Sequence, residues 1–160
     1  MLLNEHTRLY RALNEHRVKY LVIGGVASII YGVPRATLDI DILIGDSVLN
    51  AQRFLDAIKS IKFGAAFLVT PEKMVKNKVT IFEDYFRVDV FSILKGIDFS
   101  LAWENRIAKD IEGTKVNFVS VKDLISSKRA TGRKKDKEDV KILKGIYKKR
   151  GCKKCQRKKK

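Results

Sequence analysis

Two aspartates separated by one isoleucine, Asp39 and Asp41, interrupt an otherwise aliphatic run that reads Leu-Asp-Ile-Asp-Ile-Leu-Ile over residues 38–44. A run this rich in β-branched residues, closed by Gly45, predicts a buried strand. Side chains alternate along a strand, so both carboxylates take one face, about 6.6–6.8 Å apart, and Ile40 and Ile42 take the other. Carboxylates that close repel each other and are costly to strip of water unless a cation lies between them. Hard oxygen donors favour magnesium or manganese over zinc. An amphipathic edge strand with two solvated aspartates is the simpler alternative. Aspartate is disfavoured in strands, however, and a merely wet face favours Thr, Lys or Glu.

Two further features gather around this pair. Phe-Arg-Val-Asp-Val-Phe, residues 86–91, reads as a strand with Val88 and Val90 facing the core. Asp89 then shares the opposite face with Arg87 and Phe91. If this strand lies beside the first, three carboxylates converge, an arrangement able to hold two divalent cations about 3.5–4 Å apart for an in-line phosphoryl or nucleotidyl displacement. Taken alone, Asp89 is equally suited to pair with Arg87 or with a neighbouring lysine. Upstream, Tyr20-Leu-Val-Ile predicts a short buried strand ending at Gly24-Gly25, where a helix opens. Missing side chains and free helix N–H groups at such a turn suit an approaching phosphate chain.

The remaining pattern predicts helices over 3–17, 26–31 and, capped by Asp46, up to about residue 61. Residues 62–77 are ambiguous, with a strand near 66–69 and a helical turn after Pro71 both plausible. Hairpins are expected around Glu83-Asp84-Tyr85 and Glu112-Gly113, a helix near 101–107, and two closing helices over 121–130 and 137–149. The order predicts an α/β (α+β) fold with a mixed, mostly antiparallel sheet, helices packed on it and C-terminal helices. The expected organisation is one domain over 1–149, with a core at 18–120 and a helical segment at 121–149.

Composition fixes the class of chain. Apolar residues make up 45% and charged residues 32%, which fits a folded soluble protein rather than a disordered one. No apolar run reaches the roughly 18 residues of a membrane span, and the charged opening stretch lacks a signal-peptide core, so a cytoplasmic protein away from membranes is expected. The net charge of +16 is lopsided: residues 128–160 hold 17 of the 34 Lys and Arg but 3 of the 18 Asp and Glu. Such an arm either attracts a phosphate polymer such as RNA by counterion release or serves as a solvated tail, and its end, 150–160, is expected to be disordered. Cys152 and Cys155 form the one Cys-x-x-Cys pair, and the two histidines, His6 and His16, both sit in the first helix. The cysteines read as free thiols or as half of a zinc site completed by a second chain.

Gly24-Gly25, thirteen further residues, Asp39-Ile-Asp41 and the later Asp89 together resemble the signature of the polymerase-beta-type nucleotidyltransferase superfamily. Within it, Gly-Val-Pro-Arg-Ala-Thr-Leu-Asp-Ile-Asp (32–41) is similar to a branch of small prokaryotic proteins that includes the AbiE-type toxin nucleotidyltransferases. Residues 124–140, with Lys128 followed by Gly132-Arg133-Lys134-Lys135-Asp136 and Asp139, resemble a helical segment of that branch. The resemblance implies that Asp39 and Asp41 hold magnesium or manganese, that Asp89 helps activate an acceptor hydroxyl, and that Gly24 and Gly25 hold the triphosphate of an NTP. Arg35, Thr37, Lys128 and Arg133 are then candidate nucleotide ligands, Asp136 and Asp139 being equally suited to cap a helix or pair with these bases. Gly25 stands where many members carry serine. The acceptor implied is RNA, a protein side chain or a small molecule, in a setting that leaves room for a toxin–antitoxin partner protein. The alternative is a module of the same fold that binds nucleotide or RNA without catalysis.

Overall fold

The computed structural model describes residues 2–157, and side chains from 4 to 151. Six strands form one sheet: β1 (Leu21–Ile23), β2 (Ile40–Leu43), β3 (Val79–Glu83), β4 (Arg87–Phe91), β5 (Ile107–Ile111) and β6 (Thr114–Phe118). Their spatial order is β3-β4-β2-β1-β6-β5. Three pairings are antiparallel, β1 with β2, β3 with β4 and β5 with β6, while β2–β4 and β1–β6 run parallel. The sheet is thus mixed and mainly antiparallel, as the sequence pattern predicts. Around it lie α1 (Leu2–Glu15), α2 (Gly24–Tyr31), α3 (Val48–Ser60), α4 (Pro71–Lys76), α5 (Phe99–Glu104), α6 (Val121–Thr131) and α7 (Lys134–Arg157).

Register sorts the central strands into two faces. Ile40 pairs with Val88 and Val88 with Phe82, so these buried side chains share one face, where Phe54 of α3 meets Phe82 at 5.9 Å between ring centroids. Fully burying side chains of this size stabilises a fold by about 1.5–3 kcal/mol each, which makes this the cohesive side. Asp41 lies opposite Asp89, and Asp89 opposite Ile81, so the aspartates occupy the other face. There α2 packs on β2 and β1 and against α6, and the buried Tyr31 hydroxyl donates a 2.6 Å hydrogen bond to the Val119 carbonyl. The β4–β3 side stays open, with Ile81 50% exposed. The site sits at that boundary.

Several local expectations shift, among them the helix expected near 101–107, which stands at Phe99–Glu104 while Ile107 opens β5. The strand carrying the aspartates is shorter than expected, so Asp39 precedes it by one residue. Helix α3 is capped by Ser47, not Asp46: the extended Ser47 backbone lets its hydroxyl accept the Asn50 N–H at 3.2 Å. The segment around 66–69 forms no strand. A short 3-10 turn, Gly64–Leu68, stands there, tied down where the Gly64 N–H donates to the Asp84 carboxylate at 3.1 Å. The last helix begins earlier and runs longer than expected, to Arg157, whereas the side chains of Cys152 and Cys155 lie outside the described residues.

Candidate active site

A cavity of about 360 Å³ opens beside β2 and β4 and is lined by Asp39, Asp41 and Asp89 together with Gly24, Gly25, Arg35, Thr37, Lys128 and Arg133. Every residue singled out from the sequence as catalytic, metal-binding or nucleotide-binding therefore reaches one space. The parallel β2–β4 register brings the carboxylates together, setting Asp41 directly across from Asp89.

Asp41 is the most constrained of the three. Its carboxyl is pushed up from 3.8 to about 6, first by burial and then by the neighbouring Asp89. Asp39 adds to this, while the Gly25 backbone N–H and Lys128 oppose it. The bond from Gly25 means that the opening of α2 already spends a donor on Asp41. Gly24 is required here for two reasons. Its φ is +64°, and a Cβ added to it would stand 2.1 Å from Asp41 Oδ2. A Gly24→Ala variant is expected to lose at least about 2 kcal/mol, from left-handed backbone strain and the displaced carboxylate, as read by urea unfolding. At Gly25 the crowding comes from the loop, since an added Cβ would meet Thr37 Cβ and Oγ1 at 3.0 Å each. Thr37 fills the space that a serine at position 25 would enter.

Asp89 is held differently. Arg87, two residues earlier on the same face of β4, grips it through Nε to Oδ1 at 2.7 Å and a second guanidinium nitrogen to Oδ2 at 3.1 Å. The pairing that the sequence left open is the one present. It raises the Arg87 pKa, chiefly through the hydrogen bonds to Asp89. Among the described residues no three His, Cys, Asp or Glu side chains stand as a ready-made metal cage. The donor chemistry nevertheless suits a hard divalent cation: three carboxylates share a cavity, one of them raised in pKa by burial and then by the other two, and none of the residues around that cavity is a cysteine or histidine.

Behind the carboxylates lies a buried charge cluster. Lys128, 6% exposed, places its ammonium 3.1 Å from Asp136 Oδ1 and 2.9 Å from Asp139 Oδ2. Arg35 reaches the same Asp139 oxygen at 2.6 Å, and the Thr131 hydroxyl donates to Asp136 at 3.0 Å. Two cations and two anions balance, so the cluster pins the 33–39 loop to α6 and α7. Lys128 and Arg35 thus line the cavity with their charges already committed to aspartates. Arg133 and Lys135, exposed at the rim, have no side-chain partner among the described residues. The Arg35–Asp139 contact spans 104 positions, and no sequence spacing could reveal it.

No helix among the described residues is long and apolar enough to cross a membrane. Among curated proteins none matches this chain. Among solved structures, the fold is similar to an antigenic nucleotidyltransferase-like protein from Paracoccidioides brasiliensis, at 16% identity and a TM-score of 0.53, covering 91% of this chain and 74% of that one. At that identity the likeness speaks to the fold: a nucleotidyltransferase-like α/β architecture. The family described as nucleotidyltransferase of unknown function (DUF6036) has a model that matches residues 2–149, and the protein belongs to that family.

Proposed function

We propose that the protein transfers a nucleoside monophosphate from an NTP to an acceptor hydroxyl, with pyrophosphate leaving, and that magnesium or manganese is held by Asp39, Asp41 and Asp89. The observation that carries the reading is the placement of Asp41 against Asp89 across β2–β4, with Asp39 in the same cavity. A bound divalent cation would neutralise charge on the polyphosphate and lower the pKa of the acceptor hydroxyl. The chain's own part is to orient these groups. Asp39 and Asp41 fix the cation beside the Gly24-Gly25 turn, Asp89 faces the acceptor side, Thr37 packs the turn, and Arg133 with Lys135 meets the polyphosphate at the rim. Arg35 and Lys128 act from behind, holding the loop that carries Thr37 and Asp39.

RNA is the acceptor class favoured by the last helix. From Lys141 to Arg157, α7 carries eight Lys or Arg and no Asp or Glu. The described bases Lys141, Lys144, Lys148, Lys149 and Arg150 are all exposed. Such a surface binds phosphate polymers with steep salt dependence. The same observation supports the second reading, an RNA-binding module without turnover. A cytoplasmic setting and an AbiE-like toxin role with a partner protein fit either reading. The test incubates the protein with each α-labelled NTP, magnesium and total RNA. Label transferred to RNA and lost in Asp39→Ala supports the enzyme. Salt-sensitive RNA binding with no transfer to RNA, protein or small molecules supports the module.

A further inference from the structure

Arg87 belongs to none of the roles above, yet it occupies the site. Its guanidinium takes both oxygens of Asp89, at 2.7 and 3.1 Å, and has no other hydrogen-bond partner among the described residues. Asp89 is 16% exposed and Arg87 38%, so the carboxylate is largely enclosed while the guanidinium stands toward the open side of the cavity. A planar guanidinium gripping a carboxylate through two parallel bonds uses the same lone pairs that a metal ion would need. Across β3, Glu83 is the register partner of Arg87, which gives the cation a second carboxylate near which to settle.

We propose that Arg87 is an internal counterion that occupies Asp89 in the cation-free protein, so that a divalent cation gains its third carboxylate only by displacing the guanidinium. The proposal rests on the reading of the three aspartates as cation ligands. Its physical basis is competition for one anion. Three carboxylates in one cavity need positive charge, and of the five basic residues around them, Arg35 and Lys128 are tied to Asp139 and Asp136, while Arg133 and Lys135 stand at the rim. Arg87 alone is bonded to one of the three. Removing it leaves Asp89 unneutralised and open to the metal. Because the paired charges are only partly screened by solvent, releasing Asp89 from the guanidinium is expected to raise cation affinity about tenfold.

The test is a titration of the full chain with Mn²⁺, following the signal of free ion by electron paramagnetic resonance without nucleotide. Arg87→Gln is expected to bind Mn²⁺ about tenfold more tightly than the unaltered protein, while Arg133→Gln, which removes a cavity charge not bonded to a carboxylate, changes affinity less than twofold. Equal tightening in both variants overturns the proposal, since diffuse charge then explains the effect. No tightening in Arg87→Gln, with binding by the unaltered protein that Asp41→Asn abolishes, also overturns it and leaves the cation site standing. Absence of Mn²⁺ binding in the unaltered protein and in Arg87→Gln alike removes the cation site and the proposal together.

Discussion

Lys128→Met is expected to destabilise the protein by about 3 kcal/mol, among the largest single losses available to this fold. The ammonium sits between Asp136 and Asp139, which are 7% and 6% exposed, and methionine fills its volume without its charge. Both carboxylates then stay in a poorly solvated place, Asp139 with Arg35 alone and Asp136 with the Thr131 hydroxyl. Removing one partner of a buried pair typically costs about 3–5 kcal/mol, and the surviving partners keep this case at the lower end. Urea unfolding should show the midpoint falling with an unchanged slope. Adding Asp136→Asn to Lys128→Met should recover part of the loss, because one uncompensated charge disappears. A loss below about 1 kcal/mol would mean that the cluster is solvated and does not pin the 33–39 loop.

Asp41→Asn is expected to separate activity from stability. Transfer should fall about a thousandfold, equivalent to about 4 kcal/mol, because an inner carboxylate ligand of a catalytic cation is lost. Stability of the cation-free protein should move the other way. Folding raises the Asp41 carboxyl from 3.8 to about 6, so the folded state binds this proton more tightly than the unfolded chain. That contribution is fully present below about pH 4 and is lost as pH rises through about 6, above which the ionised carboxylate costs about 2 kcal/mol, the roughly 3 kcal/mol of the full shift being reduced by its partial exposure to solvent. Asparagine can still accept the Gly25 N–H and carries no charge. In the presence of a chelator, thermal melting of the variant should rise by roughly 5 °C at pH 7.5 and show no rise at pH 4. A variant as active as the unaltered protein, or one destabilised at pH 7.5, would contradict this assignment.

Much of the site is legible in the sequence because strand alternation is local. Asp39, Asp41 and Asp89 stand among aliphatics in a two-residue period, which assigns each carboxylate to a face before any tertiary contact is known. That Arg87 shares a face with Asp89 follows from the same period, and their ion pair needs only adjacency. Which strands adjoin is another matter. The parallel pairing of Asp41 with Asp89 depends on the long connection from Ile44 to Phe86, whose 3-10 turn and short α4 carry weak periodicity. The cluster of Arg35, Lys128, Asp136 and Asp139 was visible only as candidate residues. A lysine in a basic segment looks like a phosphate ligand until packing closes two aspartates around it. Ser47 in place of Asp46 as the cap of α3 is a smaller instance: both residues cap helices well, and the buried Asn50, bonded to the Lys19 and Ile44 carbonyls, sets where the helix begins.

The central claim is that these three carboxylates form one cation site facing a nucleotide. The direct measurement is a crystal structure of the protein with Mn²⁺ and an α,β-methylene NTP, with the ion located by its anomalous scattering. The account predicts Mn²⁺ within about 2.0–2.6 Å of oxygens from Asp39, Asp41 and Asp89, with Arg87 withdrawn from Asp89 and the polyphosphate beside Gly24 and Gly25. Ion and nucleotide bound away from this cavity, with Arg87 still gripping Asp89, would contradict it.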